Sequence, residues 1–181
     1  SDIIVLSTSG DDEVYIATGD RDASDTYSVG VFKSTDGGST WASTGLAFTA
    51  GQKRLINRLL IDPTNSSILY ASTSVGVYKS TDSGTNWSII TSNVYIDMEF
   101  QPGTSSTIYG STKQGDIYLS NDNGSTWSNS LSTSGKRTEL AVSTNDATIV
   151  YALIAASNNG LFGIYKSTDS GVTWIELNDS Y

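Results

Sequence analysis

The chain has 181 residues, of which 37% are hydrophobic, and its formal net charge at neutral pH is −9. This length predicts about one domain with a substantial hydrophobic core. The sequence contains neither cysteine nor histidine, which excludes disulfides, thiolate metal sites, cysteine nucleophiles and the commonest general base. Any catalysis would therefore depend on carboxylates or tyrosine, and the negative charge argues against nucleic acid as a partner.

The sequence gives two indications of location. It has no uninterrupted apolar run of about 18 residues, so we expect no membrane insertion. The first residues, Ser1 and Asp2, are not a basic leader segment, so the chain is either cytosolic or already processed. Its acidic residues are scattered among serine, threonine, asparagine and glycine, which favours a secreted or cell-surface bacterial protein.

The predicted elements repeat four times along the chain. Each copy begins with an alternating apolar segment that ends near a tyrosine, namely Tyr15, Tyr70, Tyr109 and Tyr151. A segment that starts at glycine and ends at tryptophan follows in each copy. The four segments are GVFKSTDGGSTW, GVYKSTDSGTNW, GDIYLSNDNGSTW and GIYKSTDSGVTW. Turn-forming residues separate four short β segments in every copy. The predicted boundaries of the copies are residues 1–44, 45–91, 92–131 and 132–181.

The repeat length predicts a β-propeller. Successive tryptophans are 46, 40 and 47 residues apart, and four strands in about 40–50 residues are typical of one propeller blade. No segment shows the 3.6-residue apolar period of a helix, so the chain is predicted to be all-β. A β-sandwich is the alternative, but it does not require hairpins that repeat in sequence. We expect four blades of a larger propeller, with one uncovered apolar face at each end.

The repeated glycine-to-tryptophan segment contains a turn motif between the third and fourth strands of each blade. Its aspartate can accept backbone N–H bonds, its glycine can take a positive φ, and its tryptophan can cover the turn. We therefore predict a structural role for the motif and mostly buried tryptophans. The motif residues are Ser34, Asp36, Gly38 and Trp41; Ser80, Asp82, Gly84 and Trp87; Ser120, Asp122, Gly124 and Trp127; and Ser167, Asp169, Gly171 and Trp174.

These four segments resemble the Asp-box, or BNR, repeat of sialidases, sortilin-type receptors, xyloglucanase-like glycosidases and photosystem assembly propellers. The resemblance covers nearly the whole chain. It implies a propeller whose Asp-box turns lie opposite the ligand face, so that the repeated aspartates do not serve catalysis. Longer stretches such as LLIDPTNSSILYAST also resemble secreted multidomain proteins of the Bacteroidetes type.

Loop length indicates where a ligand would bind. Two loops between second and third strands are long, at residues 19–29 and 156–161, and a third long connection runs through residues 42–54. The first loop contains Asp20, Asp22 and Asp25, whose carboxylates can wrap a calcium ion. The alternative is a solvated loop in which one aspartate caps its own turn. Arg21 and Tyr27 of this loop are candidate ligand contacts.

Charged residues are also predicted near the start of the first strand in the second, third and fourth copies. Counting back twelve residues from each repeated tyrosine gives Ile3, Arg58, Asp97 and Glu139. One interpretation is that Arg58 and Asp97 simply pair with each other. The other is that Arg58, Asp97 and Glu139, together with Asp20 or Asp22, bind a polar ligand such as a glycan.

Three functions remain open. The leading hypothesis is a non-catalytic extracellular propeller that binds a glycan or a protein, within a larger polypeptide that supplies further blades or domains. The runner-up is a glycoside hydrolase that uses Asp20 or Asp22 with Asp97, since such enzymes need two carboxylates about 5–10 Å apart. The Arg-Ile-Pro segment of sialidases and the first-blade aspartate motif of xyloglucanases are both missing. The third hypothesis is a structural or assembly component of the cell envelope.

Overall fold

The computed structural model describes residues 2–7, 9–20, 26–158 and 160–177. In this part of the chain, sixteen strands and one short 3₁₀ turn, Ala50–Gln52, are formed. The strands are β1 Asp2–Leu6, β2 Glu13–Ala17, β3 Gly30–Ser34, β4 Ala42–Ala47, β5 Ile56–Asp62, β6 Asn65–Thr73, β7 Gly76–Ser80, β8 Ser88–Thr91, β9 Asp97–Phe100, β10 Ile108–Ser111, β11 Ile117–Ser120, β12 Ser128–Leu131, β13 Thr138–Val142, β14 Val150–Ala155, β15 Leu161–Ser167 and β16 Ile175–Glu176.

Within the described residues, these strands form four antiparallel sheets of four strands each, in chain order. The first two sheets belong to one compact unit, Ser1–Val94, and the last two to a second unit, Tyr95–Tyr181. The predicted all-β fold of four four-stranded blades is confirmed. No helix in this part of the chain has the length and apolar character needed to cross a membrane.

Each unit has its own apolar core because side chains alternate between the two faces of every strand. The alternation is clearest in β14, where residues from Val150 to Ile154 are alternately buried and exposed. The core of the first unit contains Tyr15, Ala17, Val31, Leu46, Ile56, Leu59, Leu69 and Ala71. The core of the second unit contains Tyr109, Ile117, Leu119, Leu140, Val150, Ala152, Ile154 and Tyr165.

Two predicted boundaries differ from the structure. The limit at residue 44 falls inside β4, which extends to Ala47, and the long connection predicted from residue 42 therefore begins after that strand. The segment is rich in alanine, serine and glycine, which have weak strand propensity, and its strand is formed by pairing with β3. The loop predicted through residue 161 ends at Gly160, because Leu161 pairs with Ala155.

The backbone is tightly packed where the third strand of the first two sheets begins. Gly30 has φ +118° and Gly76 has φ +137°. A Cβ atom at either position would lie 2.2 Å from a carbonyl oxygen of the fourth strand, on Leu46 or Thr91. The pairing of third and fourth strands is bulged at the same place. Glycine is therefore required for the fourth strand to approach this closely.

Candidate ligand-binding site

Strand register places one charged residue at the same position of every sheet's first strand. In each case its partner on the second strand lies two residues after the repeated tyrosine. The pairs are Asp2 with Ala17, Arg58 with Ser72, Asp97 with Ser111 and Glu139 with Leu153. Counting back twelve residues from Tyr15, which gave Ile3, is therefore wrong by one residue for the first sheet. The first hairpin is one residue longer, since Ile4 faces Tyr15 whereas Glu99 faces Tyr109.

In the first unit, Asp2 links two neighbouring sheets. Its carboxylate lies 3.6 Å from the guanidinium of Arg58. The same oxygen, Oδ2, accepts the backbone N–H of Leu59 at 2.9 Å. The side chains of Arg58 and Asp2 are 30% and 19% exposed, so the pair is accessible to a polar ligand at its outer edge. The predicted pair of Arg58 with Asp97 stays a prediction.

In the second unit, Asp97 makes the equivalent backbone contacts. Its Oδ1 accepts the N–H of Met98 at 3.0 Å, and its Oδ2 accepts the N–H of Leu140 at 2.8 Å. Only 3% of the residue is exposed. These bonds account for a buried carboxylate without a substrate, because buried acids require hydrogen-bond donors.

Glu139 is paired with Arg137 beside an open cavity of about 350 Å³ in the second unit. The Nε and Nη2 atoms of Arg137 donate to Oε1 of Glu139 at 2.8 and 2.6 Å. Leu153 and Leu161 line the same cavity. Both members of the pair are about 40% exposed, so a polar ligand can reach the pair above an apolar wall.

The loop of residues 19–29 is described only at its two ends. The N–H of Asp20 donates to the carbonyl of Thr26 at 2.7 Å, and Ser28 donates to Arg54 at 2.8 Å. Tyr27 is half-buried. Arg21, Asp22 and Asp25 lie outside the described residues. No group of three acidic side chains suited to a metal ion occurs among the residues that are described, and the calcium site stays a prediction.

The repeated turns share one hydrogen-bond pattern. Each serine Oγ donates to Oδ1 of its aspartate at 2.7–2.9 Å and accepts the N–H of the turn glycine at 2.8–2.9 Å. The residue four positions after each aspartate donates its backbone N–H to the same Oδ1 at 2.8 Å. Its side chain donates to Oδ2 at 2.6–2.7 Å. Every carboxylate thus holds both ends of its own turn.

The tryptophans close these turns in two ways. Trp41, Trp87 and Trp127 donate Nε1–H to the turn glycine's carbonyl at 2.9–3.0 Å. Trp174 instead donates to Oγ of Ser130 at 2.7 Å. The expectation of mostly buried rings is wrong for Trp41, which is 40% exposed, and the other three are half-buried.

The turns also contact the preceding sheet, which sequence reasoning missed. In the first unit, Oη of Tyr15 donates to the carbonyl of Ser83 at 3.3 Å, and the N–H of Gly45 donates to the carbonyl of Gly84 at 2.9 Å. The second unit has equivalent contacts. Ser130 Oγ donates to the carbonyl of Gly171, and Gln101 Nε2 donates to Ser170 Oγ at 3.4 Å. The sequence signal that could have indicated this contact is that every repeat contains both a second-strand tyrosine and a turn of small residues.

The hydrogen bonds of the turns predict a loss of stability in acid. Bonds from Thr40 and Thr173 lower the pKa of Asp36 and of Asp169 from 3.8 to about 2. A carboxylate whose pKa is lower in the folded than in the unfolded protein stabilises the folded state at pH values above the unfolded-state pKa. This stabilisation is lost as the pH falls through the folded-state pKa. We expect the free energy of unfolding, measured with urea, to fall between pH 4 and pH 2. Asp169→Asn should reduce this pH dependence, and an unchanged slope would contradict the assignment.

The sequence of the chain is similar to part of a known xyloglucanase. Over 180 residues the chain is 32% identical to a xyloglucanase of Hypocrea jecorina (strain QM6a). The alignment covers 96% of this chain and 20% of the xyloglucanase, so the chain spans about a fifth of its relative's length. No protein-family model matches the chain.

Two solved structures confirm the β-propeller class. The GH74 enzyme of Niastella koreensis is 27% identical, with a TM-score of 0.70, over 91% of this chain and 28% of that enzyme. An ancestral GH74 enzyme is 22% identical, with a TM-score of 0.74, over 98% of this chain and 24% of that enzyme. The chain therefore consists of propeller blades similar to part of these longer proteins.

Proposed function

We propose that this chain is a β-propeller module that binds a xyloglucan-type polysaccharide without cleaving it, outside the cell or at its surface. The observation that carries the proposal is the 32% identity to a xyloglucanase along 96% of the chain. The Niastella koreensis GH74 enzyme, at 27% identity, supports the β-propeller fold of the module. Further blades or domains of the same polypeptide are the proposed partners of the module.

The contacts of the carboxylates favour binding over hydrolysis. A retaining or inverting glycosidase requires one protonated and one ionised carboxyl group on either side of the scissile bond. Both oxygens of Asp97 accept backbone N–H bonds in a buried position, and Glu139 forms a close ion pair with Arg137. These residues are better suited to positioning strands and sugar hydroxyls than to proton transfer.

The proposed ligand contacts are the accessible charged pairs together with the first loop. Arg58 with Asp2 in the first unit, and Arg137 with Glu139 in the second, present donors and acceptors that sugar hydroxyls can bridge. Leu153 and Leu161 supply an apolar surface beside the second pair. From the first loop we propose Asp20, Arg21 and Tyr27 as further contacts.

The test is calorimetric titration of the chain with xyloglucan oligosaccharides, accompanied by an assay for newly formed reducing ends. We expect saturable binding without turnover. Arg58→Ala should weaken binding at least about tenfold, the effect of losing one charge-assisted hydrogen bond. Lys113→Ala removes one positive charge from an exposed position and should leave the affinity unchanged. Turnover would support the hydrolase alternative, and no binding to any glycan tested would reject the proposal.

A calcium ion in the loop of residues 19–29 is a second proposal, based on the three carboxylates of Asp20, Asp22 and Asp25. If the ion binds only the folded protein, added calcium should raise the melting temperature by mass action. Asp22→Asn should abolish the rise. A melting temperature that does not respond to millimolar calcium would leave only a solvated loop.

Extracellular location is tested by immunoblotting the culture medium, surface and cytosolic fractions of cells that express the protein.

A further inference from the structure

The turn of the third sheet differs chemically from the other three turns at one position. The residue directly before the turn glycine has a left-handed φ of 56–65° in all four turns, at Gly37, Ser83, Asn123 and Ser170. Of these four residues, only Asn123 has a side-chain amide, and Gly124 follows it. Asparagine is a chemically labile residue, and a following glycine has no side chain to hinder attack by its own backbone nitrogen. The third turn therefore contains a reactive pair that the other turns lack.

The reaction of such a pair is deamidation, and it requires only water. The backbone nitrogen of Gly124 loses its proton and attacks Cγ of Asn123. A new C–N bond forms, the C–N bond of the side-chain amide breaks, and the amide leaves with that proton as ammonia. Water then opens the cyclic succinimide at either of its carbonyl groups. The product is aspartate or isoaspartate, and the isoaspartate main chain is longer by a methylene group.

Hydrogen bonds of the folded turn hold both reacting groups. The N–H of Gly124 is buried and donates to Oγ of Ser120 at 2.9 Å. The amide Nδ2 of Asn123 donates to the carbonyl of Ser105 at 3.1 Å, in the connection between β9 and β10. Its backbone N–H donates to the carbonyl of Ser106, also at 3.1 Å. Attack requires that the Gly124 nitrogen leaves Ser120 and meets base from solvent, and that the asparagine side chain leaves Ser105.

We propose that Asn123 is a site of spontaneous deamidation that reacts only when the third turn opens, at a rate set by the bond from Gly124 to Ser120. The change is irreversible, and its product does not rebuild the turn. A carboxylate has no N–H to donate to the carbonyl of Ser105. Its charge is also added beside Asp122, in a chain that already has a net charge of −9. The inference does not depend on glycan binding.

Peptide mapping by mass spectrometry tests the proposal. The chain is incubated at mildly alkaline pH, either folded or unfolded in guanidinium chloride, and the converted fraction of Asn123 is followed with time. We expect conversion to be at least about tenfold slower in the folded chain, because reaction there must wait for local opening. Equal rates would overturn the proposal. The other Asn-Gly pair, Asn159 with Gly160, is measured in its own peptide, since Asn159 lies outside the described residues.

A matched pair of serine variants identifies the controlling bond. Ser120→Ala removes the acceptor of the Gly124 N–H and should speed conversion of Asn123 in the folded chain at least about threefold. Ser80→Ala is the control. Its Oγ accepts the N–H of Gly84 at the same distance of 2.9 Å in the second turn, so its loss should leave the rate at Asn123 unchanged.

Chemical denaturation establishes that each variant is folded during the incubation. If Ser120→Ala does not fold, Thr126→Val supplies the comparison, because it removes only the side-chain bond to Oδ2 of Asp122. An unchanged rate in a folded variant of the third turn would contradict the role of that turn. Equal acceleration by Ser80→Ala would contradict it as well, since that result indicates that global unfolding limits the reaction.

Discussion

Replacing Gly76 with alanine is expected to lower the free energy of unfolding by about 3–5 kcal/mol. The φ of +137° at this residue is one that side-chain-bearing residues rarely adopt, and forcing it costs about 1–3 kcal/mol. The new Cβ would also lie 2.2 Å from the carbonyl oxygen of Thr91. Neither backbone segment can move without disturbing the bulged pairing of β7 with β8, so overlap adds a cost of similar size.

Chemical denaturation of Gly76→Ala and of a matched variant measures this effect. Gly51→Ala makes the same chemical change at an exposed glycine with no heavy atom within 4 Å of the new Cβ. The control should therefore unfold at nearly the wild-type denaturant concentration. Equal stability of the two variants would show that the fourth strand does not lie against Gly76.

Truncating Tyr109 to alanine is expected to cost about 3–5 kcal/mol, whereas the same truncation of Tyr151 should cost far less. The two tyrosines have equivalent positions in neighbouring sheets, but Tyr109 is fully buried and Tyr151 is 39% exposed. Burial also raises the pKa of the Tyr109 phenol to about 12. The difference follows from the turn at Gly171, which packs on Tyr109.

The comparison requires the free energies of unfolding at a concentration where the chain is monomeric. The melting temperature of Tyr151→Ala should then stay close to that of the wild type. A large loss for both variants would mean that Tyr151 is covered within the isolated chain, in conflict with its exposure. A small loss for both would mean that the turn does not depend on the tyrosine beneath it.

The sequence was sufficient to predict the blades and their turns because the determining interactions are local. Ser34, Asp36 and Thr40 lie within seven residues of one another, and their hydrogen bonds form inside that segment. Strand alternation and turn residues likewise act over a few positions. The extent of β4 was missed because its pairing with β3, not its composition, makes Ala42–Ala47 a strand.

The candidate site was predicted less completely because its contacts join distant segments. Asp2 was overlooked since the first hairpin contains one extra residue, which a fixed count cannot reveal. Its bonds to Arg58 and Leu59 form only after two sheets have packed together. The same applies to Tyr15, whose contact with Ser83 spans most of the first unit.

The contact between the tyrosine and the turn has a consequence for how such proteins change in length during evolution. The second and fourth sheets meet their predecessors through their turns, and the first and third offer tyrosines to their successors. One repeat therefore encodes both a tyrosine surface that contacts the following repeat and a turn that contacts the preceding repeat. A tandem duplication of the gene segment would supply a new, compatible junction at once, and a deletion would rejoin two compatible neighbours. Repeat number can thus drift without any new interface having to arise by point mutation.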